Sequence, residues 1–179
     1  MRKFLFLFAL LLVFPLCILA EESASLGVDV LIPTACEASV DGGMIDLYCG
    51  PTQGFYRHEE QALDLGKPYV FFGQFDCWSM VAQGTPDAFG PVGWVESALL
   101  EALPEAPELA FDQALSAMVE EDAVITNAPL SIGEDTAWST RIARGEEVII
   151  LAQYGDWLYI QTSIAEIPAR VFIPINTIL

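Results

Sequence analysis

The side chains in this sequence best suited to catalysis are a histidine and a few cysteines, and their pattern does not predict an enzyme. His58 is the only histidine, and with Cys77 it would make a thiol–imidazole pair of the kind used in nucleophilic catalysis. His58 lies in a polar segment and Cys77 at the predicted tip of a hairpin, so nothing in the sequence brings them together. Zinc sites need Cys/His sets at close spacing, which this pattern lacks. We predict no catalytic residue, no metal and no cofactor.

Neighbouring acidic residues are the second candidate for chemistry. Glu59-Glu60, Glu120-Glu121 and Glu146-Glu147 have the residue type that serves as general acid and base. The chain carries 25 acidic residues, so such neighbours arise by chance, and carboxylates in turns are ordinarily solvated. A small cell-wall hydrolase built on Cys77 or on a carboxylate pair is therefore the least favoured of three functional hypotheses.

The spacing of two cysteines predicts a disulfide. Cys36 and Cys49 flank Gly42-Gly43, a dipeptide typical of a two-residue hairpin turn. If the flanking segments pair across that turn, the two cysteines face each other at a non-hydrogen-bonded position, where Cα atoms lie roughly 4.5 Å apart. A disulfide accepts that separation. Cys49–Cys77, Cys36–Cys77 and three buried thiols are the alternatives.

The first twenty residues have the pattern of a secretory signal peptide. Arg2 and Lys3 form a positive head, the apolar run Phe4–Leu19 follows, and Ala20 offers a small residue for cleavage. The run is shorter than the roughly 20 residues that span a bilayer. We predict a secreted or cell-surface protein with no membrane attachment after cleavage; a retained N-terminal anchor is the alternative.

The charge of the chain restricts its partners. The formal net charge is −18, and it becomes more negative when Arg2 and Lys3 leave with the signal peptide. Nucleic acids and anionic lipids bind through lysine and arginine, so neither is an expected partner. The charge favours cationic partners and keeps the protein soluble.

A repeated stretch organises the rest of the chain. Gly66–Val81 and Gly145–Ile160 each begin with a turn glycine, continue through an apolar strand and a two-residue tip, and reach a tryptophan twelve residues after the glycine. Repeated spacing of this kind, with short strands separated by Gly/Pro turns, predicts two small β-domains. Leu109–Val119 is also predicted as strand, in spite of its helix-forming composition.

These signals divide the chain into five predicted segments. They are a signal peptide at 1–20, a mobile segment at 21–33, a first domain at 34–100, a Pro-rich acidic linker at 101–108 and a second domain at 109–179.

Both domains resemble the bacterial SH3-like domain, a compact barrel of five or six strands found mostly in exported proteins. The resemblance rests on the following motifs: Ile45–Pro51, Gly66 to Trp78, Gly93-Trp94-Val95, Pro129, Gly145 to Ile160 and Phe172-Ile173-Pro174. It implies an all-β fold of two SH3-like barrels in tandem and a binding module at the cell envelope. Val171-Phe172 stands where the first copy has Gly93-Trp94.

SH3-like barrels present aromatic side chains to extended peptides, whose docking costs little entropy. The resemblance therefore points to eight candidate ligand-binding residues: Tyr48, Tyr56, Trp78, Trp94, Trp138, Trp157, Tyr159 and Phe172. The alternative for each is a place in the core, since a barrel of this size needs aromatic residues to fill it.

We expect an exported, monomeric, non-catalytic binding module. Its partner would be a peptide, the peptide part of the cell wall, or a cationic surface protein. The main alternative is a structural or assembly protein of the cell surface, in which all the aromatic side chains are buried.

Overall fold

A computed structural model describes residues 26–39, 42–101, 103–105, 107–130 and 138–178, and these form an all-β protein without α-helix. The predicted signal peptide lies outside the described residues. Thirteen strands follow in chain order: β1 Asp29–Val30, β2 Thr34–Cys36, β3 Met44–Asp46, β4 Ala62–Asp64, β5 Tyr69–Phe75, β6 Trp78–Thr85, β7 Ala88–Glu96, β8 Leu115–Met118, β9 Ala123–Thr126, β10 Ser139–Ile142, β11 Glu147–Tyr154, β12 Trp157–Ile164 and β13 Ile167–Pro174. Across the described ranges, no helix is long and apolar enough to cross a bilayer.

The predicted repeat is present as two three-stranded meanders, β5-β6-β7 and β11-β12-β13. Both of the predicted hairpins are confirmed, with tip-closing pairs Phe75–Trp78 and Tyr154–Trp157. Each first strand carries a bulge at the same place in the repeat, at Phe72 or at Leu151. Each meander ends in a short 3-10 turn, Ser97–Leu99 or Ile175–Thr177.

The strands form three sheets, and none of them closes into a barrel within the described residues. One sheet has the order β2-β5-β6-β7, and the pair β3-β4 stands apart from it. The largest sheet has the order β1-β11-β12-β13-β9-β10, with β8 also pairing with β11. We refer to residues 34–100 as the first half and to 109–178 as the second half.

The described residues form three apolar cores, and one of them joins the two halves. One core belongs to the first half and one mainly to the second, while the third is built from both. In this shared core, Met80 and Trp94 of the first meander occupy the positions that Tyr159 and Phe172 occupy in the second. The indole Nε1 of Trp94 donates a buried hydrogen bond of 2.7 Å to the hydroxyl of Tyr159. Equivalent faces of the repeat therefore pack against each other.

The segments before and between the halves also contribute to the packing. Val28 and Leu31 are buried, and β1 pairs in parallel with β11, so this part of the segment predicted as mobile joins the second half. At the end of the predicted linker, the amide of Leu109 donates to the carbonyl of Gln74 at 2.6 Å. Leu109 then enters the shared core.

The predicted disulfide is wrong. Cys36, Cys49 and Cys77 are free thiols. The hairpin on which the prediction depended does not form, because β2 pairs with β5 and β3 pairs with β4. Cys36 consequently lies opposite Tyr69 on β5. Pairing with the later strands β5 and β4, which are longer or better buried, is favoured over a local hairpin across Gly42-Gly43.

Candidate functional site

A large cleft lies between the two halves and has a volume of about 720 Å³. The first half lines it with both polar and apolar side chains, and the second half closes it with a tryptophan. The lining residues that matter for its chemistry are His58, Glu60, Gln61, Gln83, Trp138 and Ser139. No lysine or arginine lines the described part of the cleft.

One rim of the cleft is a bulge in β7. Between the pairs Ala82–Val92 and Gly84–Phe89, β6 has the single residue Gln83, whereas β7 has Gly90 and Pro91. The extra residue ends the regular ladder here, and Gln83, Gly90 and Pro91 all line the cleft. Bulges commonly redirect side chains next to binding sites.

Trp138 is held at the opposite rim by the β9-β10 hairpin. It comes directly before β10, and its carbonyl accepts a hydrogen bond of 2.9 Å from the hydroxyl of Thr126 on β9. Its ring is partly exposed and lies 5.3 Å from the ring of Tyr56, between centroids. The ring of His58 lies 6.3 Å away. Aromatic rings from both halves thus meet at Trp138, on one side of the cleft.

The loop that carries Tyr56 is anchored on the second half through its backbone. The amide of Tyr56 donates to the carbonyl of Pro168 at 2.8 Å, and the amide of Arg170 donates to the carbonyl of Cys49 at 2.5 Å. Within the loop, the ring of Phe55 covers Gly50, where an added Cβ would fall 1.9 Å from that ring. Only glycine fits beneath Phe55 in this arrangement of the loop.

The side chain of Arg170 completes the anchor. Its guanidinium carbon lies 5.2–5.8 Å from the ring centroids of Phe55, Phe75, Trp94 and Phe111. Its Nε donates to Gln161 at 3.1 Å, while one terminal nitrogen is buried without a hydrogen-bond partner among the described residues. Desolvation lowers the pKa of Arg170. Faces of aromatic rings, in place of a carboxylate, therefore surround this cation.

Two buried amide side chains join the halves, and one of them, Gln61, lines the cleft. Gln61 and Asn127 are 8% and 1% exposed and hydrogen-bond to each other across the two halves. The amide of Val92 donates to the carbonyl of Asn127 at 2.7 Å, which adds a second link. The Oδ1 of Asn127 and the Nδ1 of His58 are buried and have no partner within the described residues. Unsatisfied buried polar atoms are uncommon in native proteins and call for an explanation.

The eight candidate aromatic residues divide into two groups. Trp78, Trp94, Tyr159 and Phe172 are buried, at 7%, 0%, 1% and 1% exposure, and all four belong to the shared core. Tyr48, Tyr56, Trp138 and Trp157 are partly exposed. Tyr56 and Trp138 meet at the cleft, Tyr48 contacts Trp78 in a separate groove, and Trp157 packs at the edge of the shared core.

Cys36 and Cys49 are poor nucleophiles in this arrangement. Burial raises the pKa of Cys49 to about 12 and also raises that of Cys36. A thiol with a raised pKa has little thiolate at neutral pH, and the thiolate is the reactive form. Cys77 is exposed at the β5–β6 turn, whereas His58 lines the cleft.

Comparison with known proteins does not assign this chain to a family. No protein-family model, curated protein or solved structure matches the chain. Among the described residues, no group of three His, Cys, Asp or Glu side chains is placed to hold a metal ion.

Several residues of the site were not among the sequence candidates. Gln61, Asn127 and Arg170 have no spacing signal that separates them from surface residues, because their roles depend on contacts between the two halves. Pro91 follows a glycine in a strand interior, which is a usual sign of a bulge. That dipeptide is the one signal from which the rim of the cleft was predictable.

Proposed function

We propose that this protein is an exported, non-catalytic binding module made of two SH3-like units, and that the cleft between its halves binds a peptide. A peptide from the cell wall or from a cationic surface protein is the ligand class that fits best. The proposal rests mainly on one observation: the partly exposed ring of Trp138 lines a large cleft between the halves, and the ring of Tyr56, from the other half, lies against it.

The polarity of the cleft supports a peptide ligand. Amide and hydroxyl groups from Gln61, Gln83 and Ser139 line the walls of the cleft. A few polar groups that fix orientation within an otherwise apolar concave site are typical of ligand pockets. Extended peptides also present alternating N–H and C=O groups, which the Gln61 amide and the Ser139 hydroxyl can meet, whereas the Gln83 amide already bonds to the Asp64 N–H and the Pro68 carbonyl. The carboxylate of Glu60 and the acidic chain favour a neutral or cationic peptide.

A purely structural role is the second candidate, and the burial of half of the candidate aromatic residues favours it. Trp94, Tyr159 and Phe172 serve the packing of the two halves. In such a protein the cleft would be a gap between packed units, and its exposed rings would have no ligand.

Co-sedimentation with purified peptidoglycan, followed by titration with its soluble stem peptides, separates the two candidates. We expect binding, and we expect Trp138→Ala to weaken it at least about tenfold, the effect of losing one well-placed aromatic contact. Trp157→Phe is the control, because Trp157 is also partly exposed but lies outside the cleft lining. This variant should bind as the native protein does. A folded native protein that binds neither peptidoglycan nor its peptides contradicts the proposal and favours the structural role.

A further inference from the structure

A second concave surface lies on the first half, outside the cleft. It is a groove of about 370 Å³, lined in part by residues of β3 and by the end of β7. Tyr48 and Trp78 lie within it, edge to face, with ring centroids 5.6 Å apart and planes at 84°. Trp78 is the first residue of β6 and Tyr48 bridges to β7, so both rings are fixed by the sheet. We call this surface the acidic groove.

The walls of the acidic groove are large apolar side chains that folding leaves in water. Met44 is 67% exposed and Leu99 is 49% exposed. The repeat shows that the fold does not require an exposed leucine here. Thr177, at the equivalent position of the second 3-10 turn, is 6% exposed and donates to the carbonyl of Pro174. Exposed apolar side chains gathered in one groove are typical of an interaction site.

The charges at the groove are negative. Asp46 and Glu96 both line it, and no lysine or arginine does so within the described residues. Asp46 pairs with Arg57 at 2.9 Å, but both side chains are well exposed and such surface pairs are weak. Glu96 accepts a hydrogen bond of 3.3 Å from the amide of Gln53 and makes no ion pair among the described residues. A cation approaching the groove would therefore meet one unpaired carboxylate and one weakly paired carboxylate.

We propose that the acidic groove docks a short segment of a partner protein in which an apolar side chain is flanked by lysine or arginine. The apolar side chain packs between Met44 and Leu99, above the Tyr48–Trp78 pair. The flanking cations face Asp46 and Glu96. This site is independent of the peptide cleft, since the two surfaces share no lining residue.

A defined peptide tests this inference. The probe is a five-residue peptide with capped ends, in which three lysines alternate with two leucines, and its control has glutamates in place of the lysines. Binding is followed by the NMR shift of the Trp78 indole N–H during titration of the full chain. We expect the lysine peptide to shift this signal in a salt-sensitive manner, and the glutamate peptide to leave it in place.

Surface variants identify the groups responsible. Leu99→Ser should weaken binding about tenfold, because the apolar side chain of the peptide then loses its contact with a leucine. Glu96→Gln should weaken binding about threefold, because a carboxylate that faces the lysines of the peptide is removed. Ile149→Ser and Glu166→Gln are matched controls on the exposed surface of the second half, and both should bind normally. Trp138→Ala should also bind the lysine peptide normally, even if the proposed function fails.

Three results would overturn the proposal. They are no shift of Trp78 with the lysine peptide, equal binding of the glutamate peptide, and equal losses in the groove variants and their controls. The substituted side chains are exposed, except for the partly exposed Trp138, and a urea unfolding curve for each variant shows whether a loss of binding reflects a loss of folding.

Discussion

The two meanders of this protein share a plan and differ at a few positions, and the two candidate sites lie at those positions. In the second meander, β12 and β13 pair in one unbroken register from Trp157–Pro174 to Ile164–Ile167. In the first meander, the ladder between β6 and β7 breaks at Gly90-Pro91, which forms a rim of the cleft. Leu99 of the first 3-10 turn is exposed, while its equivalent Thr177 is buried.

What the halves share holds the molecule together. The bulges at Phe72 and Leu151, the closing 3-10 turns and the faces that meet in the shared core occupy the same places in both copies. At two places where the copies differ, Gly90-Pro91 and Leu99, the ladder is broken or a side chain is left exposed. The repeated positions stabilise the fold, and these two departures border the surfaces that we propose to bind ligands.

The largest expected effect concerns the shared core. Trp94→Ala and Phe172→Ala remove equivalent side chains that are 0% and 1% exposed. Each should lower the free energy of unfolding by about 3–5 kcal/mol, as is usual for large buried aromatic residues. Urea unfolding followed by tryptophan fluorescence and by far-UV circular dichroism measures the loss.

Because the two residues pack in the same core, each substitution should shift a single transition of the whole molecule. Phe75→Ala is a control at the partly buried edge of the same core and should cost less. Two separate transitions, with only one half affected by each substitution, would show that the halves are stabilised independently.

The next effect concerns Arg170, which takes the place that Val92 has in the first meander. Arg170→Met keeps a long apolar side chain but removes the cation among four rings. The free energy of unfolding should fall by about 1–2 kcal/mol, the scale of a desolvated cation–π contact. Chemical denaturation measures this change.

Arg170→Lys separates charge from shape, since lysine keeps the cation but lacks the planar group that stacks on rings. Its stability should lie between those of the native protein and the methionine variant. A methionine variant more stable than the native protein would show that desolvation of the guanidinium outweighs its contacts with the rings.

The smallest effect tests the bulge. Deletion of Gly90 leaves one residue of β7 opposite Gln83 and makes the first meander resemble the second. We expect the rim of the cleft to close and the affinity for peptidoglycan peptides to fall at least about tenfold, or about 1.4 kcal/mol. Titration with soluble stem peptides measures this loss. A folded deletion variant with native affinity would show that the bulge plays no part in binding.

The sequence was sufficient to predict the elements that depend on local patterns. Turn glycines, apolar runs and the fixed spacing to Trp78 and Trp157 identify both hairpins, and the structure has them in the predicted order. The strand at Leu115–Met118 was also predicted within Leu109–Val119, against its helix-forming composition. These features need no information about distant parts of the chain.

Contacts between distant segments were not predictable in the same way. The Gly42-Gly43 turn signal was outweighed by the pairing of β2 with β5 and of β3 with β4. The SH3-like resemblance pointed to the aromatic positions, but it did not show that the faces carrying Trp94 and Tyr159 pack on each other. Residues such as Gln61 and Asn127 acquire a role only when the two halves meet.

The indole N–H signals of the four tryptophans provide the most direct test of peptide binding between the halves. Each signal is assigned with a Trp→Phe variant, and the native chain is titrated with soluble peptidoglycan stem peptides. We predict that the Trp138 signal shifts and reaches a plateau as peptide is added. The signal of Trp94, whose buried indole N–H donates to the hydroxyl of Tyr159, should stay in place. No shift at Trp138 at saturating peptide, or shifts only at Trp157, would contradict binding in the cleft.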